Sequence, residues 1–339
     1  MNIGLSVSDP GDIAYIQKLF VKKLFKHKYF SLNFVGYRNI NLSNIKNLSL
    51  VNSLNKKKFI DFLEKKKIDL VVLGSGQIKS NLHRNIIKVC KKYKVKVAFI
   101  IDGFYNFTGR LKKKSKIILP DRFVVSDNLV KEDAIKEGIP KKIIRVGGNP
   151  VILEFLKGYR KKKNYNNLVF IADPLTKNFV KKHCKKNLPE NNINELDVFK
   201  FLLKTILPIK KIKKIFFVCH PKHDFIKIKK ELTKIGKNTV VIRPNSKSKI
   251  ELIYNSKYIF GTASIMLLTA RLLNKNVIAI LTRKMLKKKY DYYMKCRNIK
   301  ISYFAKKIDL IKQIEKPFKM FNIKKIKKKY YPDISWMKN

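Results

Sequence analysis

The sequence predicts an α/β fold made of two domains, each a parallel sheet covered by helices on both faces, with a cleft between them. Three observations carry this. Short, mostly unbroken apolar runs alternate with amphipathic helical runs along the chain, the pattern of strands buried on both faces. The alternation stops at a Lys/Asn-rich stretch, Tyr159–Asn167, and then starts again. The chain has 339 residues, 45% of them hydrophobic, which suffices for two ordinary cores. No short-period repeat is present, so solenoids and propellers are excluded.

In the first half, Asn2–Val7 reads as a strand ended by the turn Ser8-Asp9-Pro10-Gly11. Ile13–His27 reads as a helix with Ile13, Ile16, Leu19, Phe20 and Leu24 on one face, and Leu32–Gly36 as a second strand. Lys56–Lys67 is a predicted helix feeding the strand Asp69–Leu73, which runs into Gly74-Ser75-Gly76. A helix over Leu82–Tyr93 then leads to the strand Val95–Ile101, ending at Asp102-Gly103. The strand Arg122–Ser126, the helix Asn128–Glu137 closed by Gly138, and the strand Ile143–Val146 closed by Gly147-Gly148-Asn149-Pro150 complete this half.

In the second half, predicted strands lie at Leu168–Ala172, Lys214–His220, Thr239–Arg243, Tyr258–Phe260 and Asn276–Leu281. Predicted helices lie at Asn194–Ile206, Asp224–Ile235, Lys249–Asn255, Ile265–Leu273 and Ile308–Glu315. The expected division is 1–160, 161–320 and a C-terminal basic tail or helix over 321–339.

Composition excludes several classes. No run approaches the ~20 uncharged apolar residues of a membrane span. The opening MNIGLSVSDPGD lacks a basic region followed by an apolar one, so no signal peptide is expected. Cys90, Cys184, Cys219 and Cys296 form no disulfide framework and suit a reducing cytoplasm. The net charge of +55 would attract nucleic acid or anionic lipid. Yet 68 of the basic residues are Lys and ten are Arg, and the lysines recur in almost every segment. Arg is the better reader of phosphates and guanine edges. Solvent-facing positions filled with Lys are the preferred account of the charge, so no specific nucleic-acid partner is expected, and a nucleic-acid-binding protein using that charge is the more distant alternative.

Ligands of open parallel sheets bind beyond the carboxyl ends of the strands. Gly74-Ser75-Gly76 offers a close backbone approach to a phosphate or sugar, or a plain strand-to-helix turn. Gly261-Thr262-Ala263-Ser264 precedes a helix N-terminus suited to a diphosphate, and Thr262 or Ser264 is equally a helix cap. His220 and Lys222, in His220-Pro221-Lys222-His223-Asp224, are candidate phosphate contacts. A zinc site there is disfavoured, because Cys219 points opposite to His220 on a strand and no second ligand pair lies at zinc spacing. No metal and no cofactor are expected. The loop Asp102–Arg110 combines an acid, an amide (Asn106), aromatics and Arg110, a sugar-binding composition. Asp127 is either a cleft carboxylate or the cap of the following helix.

The segment Leu119–Asp127, the helix end Lys136-Glu137-Gly138-Ile139-Pro140 and the turn Gly147-Gly148-Asn149-Pro150 resemble GT-B glycosyltransferases and the non-hydrolysing UDP-N-acetylglucosamine 2-epimerases. Asp9-Pro10-Gly11-Asp12 and Asp102–Arg110 look like a bacterial surface-polysaccharide branch, and Val218-Cys219-His220-Pro221 and Gly261–Ala270 like its donor-binding half. The resemblance implies a GT-B-like fold of two Rossmann-like domains. It implies transfer of a sugar from a nucleotide-activated donor to a glycan or lipid-linked acceptor. Asp102 is the implied general base and Asp127 the second candidate. The donor diphosphate would meet Gly261–Ser264, His220 and Lys222; the acceptor would meet Asp9, Gly11, Ser75, Gly76, Asn106 and Arg110, with Asn149 in the closing turn. Thr269 stands where many family members carry a ribose-chelating Glu. The epimerases' ExxNR element is missing, which favours transfer over epimerisation or hydrolysis. The expected location is cytoplasmic. Two readings of Ile13–His27 stay open: peripheral attachment to the inner membrane face through Lys18, Lys22, Lys23 and Lys26, or a helix with its lysines in water.

Overall fold

The computed structural model describes residues 1–7, 15–19, 27–35, 45, 47–74, 81–101, 103, 106–113, 116–157, 165–173, 193–220, 223–235, 239–243, 248–262, 264–282, 294, 297–317 and 319–337. The chain forms two compact units, Met1–Glu154 with Lys327–Asn339, and Phe155–Ile326.

Unit 1 holds β1 (Asn2–Ser6), β2 (Lys28–Phe34), β3 (Leu48–Leu54), α1 (Lys56–Lys65), β4 (Leu70–Gly74), α2 (Leu82–Lys92), β5 (Lys96–Ile100) and α3 (Phe107–Leu111). A short antiparallel pair, β6 (Lys112–Lys113) and β7 (Lys116–Ile117), follows. Then come β8 (Arg122–Val125), α4 (Asn128–Lys136), β9 (Ile144–Val146) and α5 (Pro150–Lys157), which begins in this unit. The seven-stranded sheet runs β3-β2-β1-β4-β5-β8-β9, and every pairing is parallel. Setting the short pair aside, this extends the 3-2-1-4-5-6 order of the Rossmann fold, whose switch point lies between β1 and β4. Alternation sorts the side chains onto two faces. Ile3, Leu5, Leu70, Val72, Ala98, Ile100 and Val124 pack on one face against Tyr15, Ile16, Leu19, Trp336 and Met337. Phe99 and Phe123 stack on the other, 5.7 Å apart, with the Phe107 ring edge-on to Phe123.

Unit 2 holds β10 (Tyr165–Ile171), α6 (Glu195–Ile206), β11 (Lys214–Val218), α7 (Phe225–Ile235), β12 (Thr239–Ile242), α8 (Ser248–Asn255), β13 (Ser256–Gly261), α9 (Ile265–Leu272), β14 (Asn276–Leu281), β15 (Lys300–Tyr303) and α10 (Lys307–Glu315). The six-stranded parallel sheet runs β12-β11-β10-β13-β14-β15, the same order with its switch point between β10 and β13. Phe170, Phe217 and Phe199 form an aromatic cluster with centroids 5.1–5.4 Å apart where α6 lies on the sheet. Asn194 and Asp197 close a capping box that starts α6.

The strand–helix alternation predicted from the sequence is the observed one, with instructive gaps. β3 is a half-exposed edge strand with no apolar run to mark it, and Leu50 is exposed. The second strand begins at Lys28 rather than Leu32 because β1 extends it by pairing Asn2 with Lys28. α5 begins at Pro150, where proline's fixed φ suits a first helical position. β15 and α3 are likewise short additions.

The last described segment belongs to unit 1. α11 (Ile323–Lys329) leads into it, and the Tyr330 hydroxyl donates to Asp127 at the carboxyl end of β8. Arg122, at the amino end of β8, donates to the Trp336 carbonyl. Residues 330–337 therefore run beside β8 from one end to the other, with the Trp336 ring buried in the core. Gly147 and Gly148 make room for them. A Cβ on Gly148 would stand 2.3 Å from the Tyr331 carbonyl oxygen, and one on Gly147 would stand 3.0 Å from Trp336 Nε1.

Candidate functional site

The carboxyl edge of unit 2 collects most of the second-half residues singled out from the sequence. Gly261 ends β13 in register with Ile171 of β10, on the two strands that flank the switch point. A Cβ there would stand 2.5 Å from the Ile171 carbonyl oxygen, so only glycine lets the strands approach this closely. Thr262 follows, fully buried, and its hydroxyl has no partner among the described residues. Ser264 caps α9 by accepting from the Met266 N–H at 3.3 Å. Beyond that cap the helix offers unpaired N–H groups and partial positive charge to an anion. Thr269 sits one turn further along α9, buried.

On the neighbouring side of β10, His220 follows β11. Its ring Nε2 lies 3.8 Å from Asp173, a carboxylate just beyond β10. The His220 N–H donates to His223 Nδ1 at 3.1 Å, and His223 Nε2 lies 3.0 Å from Glu195 at the start of α6. His223 and Glu195 are both buried, so the pair fixes the turn that carries His220. Cys219 faces the core, where burial pushes its thiol up to about 11. The described residues contain no group of three His, Cys, Asp or Glu side chains able to hold a metal ion. Lys222 lies outside the described residues.

In unit 1, Asp9, Gly11, Ser75, Gly76 and Asp102 lie outside the described residues. Asp127, which the sequence leaves open between cleft carboxylate and cap, is the cap of α4. Its Oδ1 accepts from the Val130 N–H at 3.1 Å, and its Oδ2 accepts from the Tyr330 hydroxyl at 3.0 Å. Asn149 is buried and caps α5, its Oδ1 accepting from the N–H groups of Val151 and Ile152 at 3.0 Å each. Asn106 adopts a left-handed conformation at the start of α3, and the Glu137 carboxylate accepts from the N–H groups of Asn106 and Phe107. Arg110 lies on α3 with its guanidinium over Gly103, 3.4 Å from where a Cβ would be. Of Ile13–His27, residues 15–19 and His27 are described; Tyr15, Ile16 and Leu19 are buried and Lys18 pairs with Glu154. No helix among the described residues is long and apolar enough to cross a membrane.

Sequence reasoning missed Asp173, Glu195 and His83. His83 is buried in the first turn of α2, edge-on to Phe99 at 5.7 Å. Burial, then the Arg110 and Arg84 guanidiniums, lower its pKa to about 4. The unfolded chain, with an ordinary histidine near 6.5, binds more protons between those values. Unit 1 is therefore expected to lose stability as pH falls from about 6.5 to about 4. His83→Gln should flatten that slope in denaturant titrations at neutral and acid pH; an unchanged slope would exclude His83 as its source.

No family model and no curated protein matches the sequence. Solved structures do match. The UDP-GlcNAc 2-epimerase of Methanocaldococcus jannaschii superposes with a TM-score of 0.59 at 16% identity, over 95% of this chain and 95% of that one. The lipopolysaccharide outer core galactosyltransferase WaaB superposes with a TM-score of 0.53 at 13% identity, over 100% and 97%. The chain has the GT-B fold. HepE of Anabaena, solved with UDP, shares that GT-B fold at a TM-score of 0.53 and 9% identity, over 93% of this chain and 89% of its own. Glycosyltransferases and epimerases thus stand together among the GT-B neighbours.

Proposed function

We propose that the protein is a GT-B glycosyltransferase that moves a sugar from a nucleotide-activated donor to a surface-glycan acceptor. The observation that carries this is the carboxyl edge of unit 2. A glycine-tight switch point, a buried unpartnered threonine hydroxyl and a helix N-terminus meet there beside His220. That combination suits a diphosphate. The M. jannaschii epimerase has been solved with UDP-GlcNAc and UDP, and HepE with UDP, which supports a uridine nucleotide as the first ligand to test.

In this reading the diphosphate lies over the N-terminus of α9, with His220 and Lys222 as its side-chain contacts. The acceptor hydroxyl gives its proton to Asp102, two residues past β5 in the sequence, and attacks the anomeric carbon. The bond from that carbon to the diphosphate oxygen breaks, and its electron pair leaves with the nucleotide. Fixed positive charge at the helix N-terminus stabilises the departing diphosphate. Asp9, Gly11, Ser75, Gly76, Asn106 and Arg110 are assigned to the acceptor. Asp127 and Asn149 are assigned to the scaffold, since their oxygens already serve as caps.

Binding and turnover across UDP-, GDP- and CMP-sugars test the proposal. One nucleotide at about 100 Kd should stabilise the protein by about 2.7 kcal/mol. Gly261→Ala should weaken that nucleotide by tenfold or more while costing about 1–3 kcal/mol of stability, as strands β10 and β13 part. The absence of binding by any nucleotide would sink the reading.

Epimerisation of a UDP-sugar is the second reading. The epimerase from M. jannaschii superposes more closely than WaaB, at 0.59 against 0.53. Incubation without any acceptor separates the two: a new hexosamine isomer marks an epimerase, whereas unchanged donor marks a transferase.

A further inference from the structure

We infer that a cavity at the amino edge of the sheet of unit 1 is a binding site for a phosphate monoester. The cavity has a volume of about 370 Å³, and its lining includes Asp69, Leu70, Lys94, Lys96, Arg122 and Met337. That volume lies within the range of small-molecule sites. The sheet itself brings the charges together. Leu70, Lys96 and Arg122 are the first residues of β4, β5 and β8, three adjacent parallel strands. Alternation puts all three on the face that carries Val72, Ala98, Ile100 and Val124, against which Met337 packs. Lys94 joins them from the turn between α2 and β5. It holds a left-handed conformation, φ 55°, which favours glycine or asparagine. Asn47, Asn106, Asn274 and Asn298 fill that conformation elsewhere in the chain, so this ammonium stands against the backbone preference.

Among the described residues no carboxylate forms an ion pair with Lys94, Lys96 or Arg122. Arg122 is buried, and its one hydrogen bond among those residues runs from Nη1 to the Trp336 carbonyl, leaving Nε and Nη2 as donors. Burial and then the Arg145 guanidinium lower its pKa against the pull of Asp121. Asp69 is the one carboxylate that lines the cavity. Its Oδ2 accepts from the Asn2 N–H at 2.7 Å, and Oδ1 is left for a ligand hydroxyl. A buried guanidinium without an anion is costly. A phosphate monoester supplies a charge of about −1.5 to −2 and three acceptor oxygens, enough for the fork of Arg122 and both ammonium groups. A carboxylate would offset only one of the three cations. Leu70 and Met337 give the organic part of the ligand an apolar wall. The cavity lies at the opposite end of the strands from the carboxyl edge, where the transferase reading puts its acceptor, and it stands without that reading.

The test titrates the full-length protein with glucose 6-phosphate by calorimetry, in enough sodium chloride to screen the surface lysines. Saturable binding is expected, weakened tenfold or more when Lys94→Asn and Lys96→Gln are combined. Asparagine suits the left-handed position, so this variant keeps its fold. Lys57→Gln with Lys88→Gln, which removes two exposed lysines from α1 and α2, should bind as the unmodified protein does. The second measurement is denaturation followed by Trp336, the only tryptophan in the chain. Saturating glucose 6-phosphate should move that transition, which reports unit 1, to higher denaturant. Displacement of glucose 6-phosphate by phosphatidic-acid vesicles identifies a lipid headgroup as the source, and retention identifies a soluble ester. No saturable binding, equal binding by the Lys94 and Lys96 variant, an equal loss in the Lys57 and Lys88 variant, or an unmoved Trp336 transition would each overturn the inference. Failure of UDP to bind would sink the transferase reading and leave this site standing.

Discussion

Trp336→Ala is expected to destabilise unit 1 by about 3–5 kcal/mol, the range for removing a large buried aromatic. The ring lies in the core with Val124, Leu5 and Tyr15, and the Trp336 carbonyl accepts from buried Arg122. Losing the ring opens a cavity under β8 and loosens the segment that brings Tyr330 to Asp127. The chain has one tryptophan, so intrinsic fluorescence of the unmodified protein reports unit 1 alone, while circular dichroism reports both units. In the variant, the dichroism transition assigned to unit 1 should move to lower denaturant and that of unit 2 should stay. A shift below about 1 kcal/mol would show that the tail merely rests on the surface.

Arg271→Met should have a comparable effect on unit 2. Arg271 is almost wholly buried at the end of α9, and burial lowers its pKa to about 10. Its Nε donates to the Asn298 carbonyl at 2.8 Å, Nη2 donates to the Lys319 carbonyl, and the guanidinium stacks 4.3 Å from the Phe321 ring. Methionine fills much of the volume but leaves two carbonyls without donors, at about 1–3 kcal/mol each. A loss of about 2–5 kcal/mol in unit 2 is the expected result. Arg271→Lys should recover only part of it, because an ammonium reproduces neither the fork nor the stacking. Full recovery with Lys would show that charge alone matters at this position.

The two sheets were legible because their central strands are buried on both faces and read as apolar runs. β4, β5 and β14 are nearly all buried and match the expected strands to within a residue, whereas β10 begins three residues before the expected Leu168 because its first residues are exposed and polar. β3 escaped because an edge strand alternates too weakly to show a period. At the site, the strand-end glycine, hydroxyls and His220 were legible because strand direction alone puts them at one edge. The roles of Asp127 and Asn149 were not, since a cap and a ligand contact use the same residue types at the same place. Asp173, Glu195 and His83 went unread for a different reason. Their meaning comes from partners far away in sequence: Asp173 from His220, Glu195 from His223, and His83 from the Arg110 guanidinium.

The return of residues 327–337 to unit 1 sets an order of events during synthesis. Residues 155–326 form one continuous stretch, so unit 2 can fold as soon as it has left the ribosome. The earlier-made part of unit 1 must wait, with the Trp336 pocket empty and Asp127 without its tyrosine, until more than half of the chain has followed. Such a wait leaves apolar sheet exposed and invites aggregation. A chaperone that holds nascent chains should therefore matter more to the yield of this protein than its ordinary strand order would suggest.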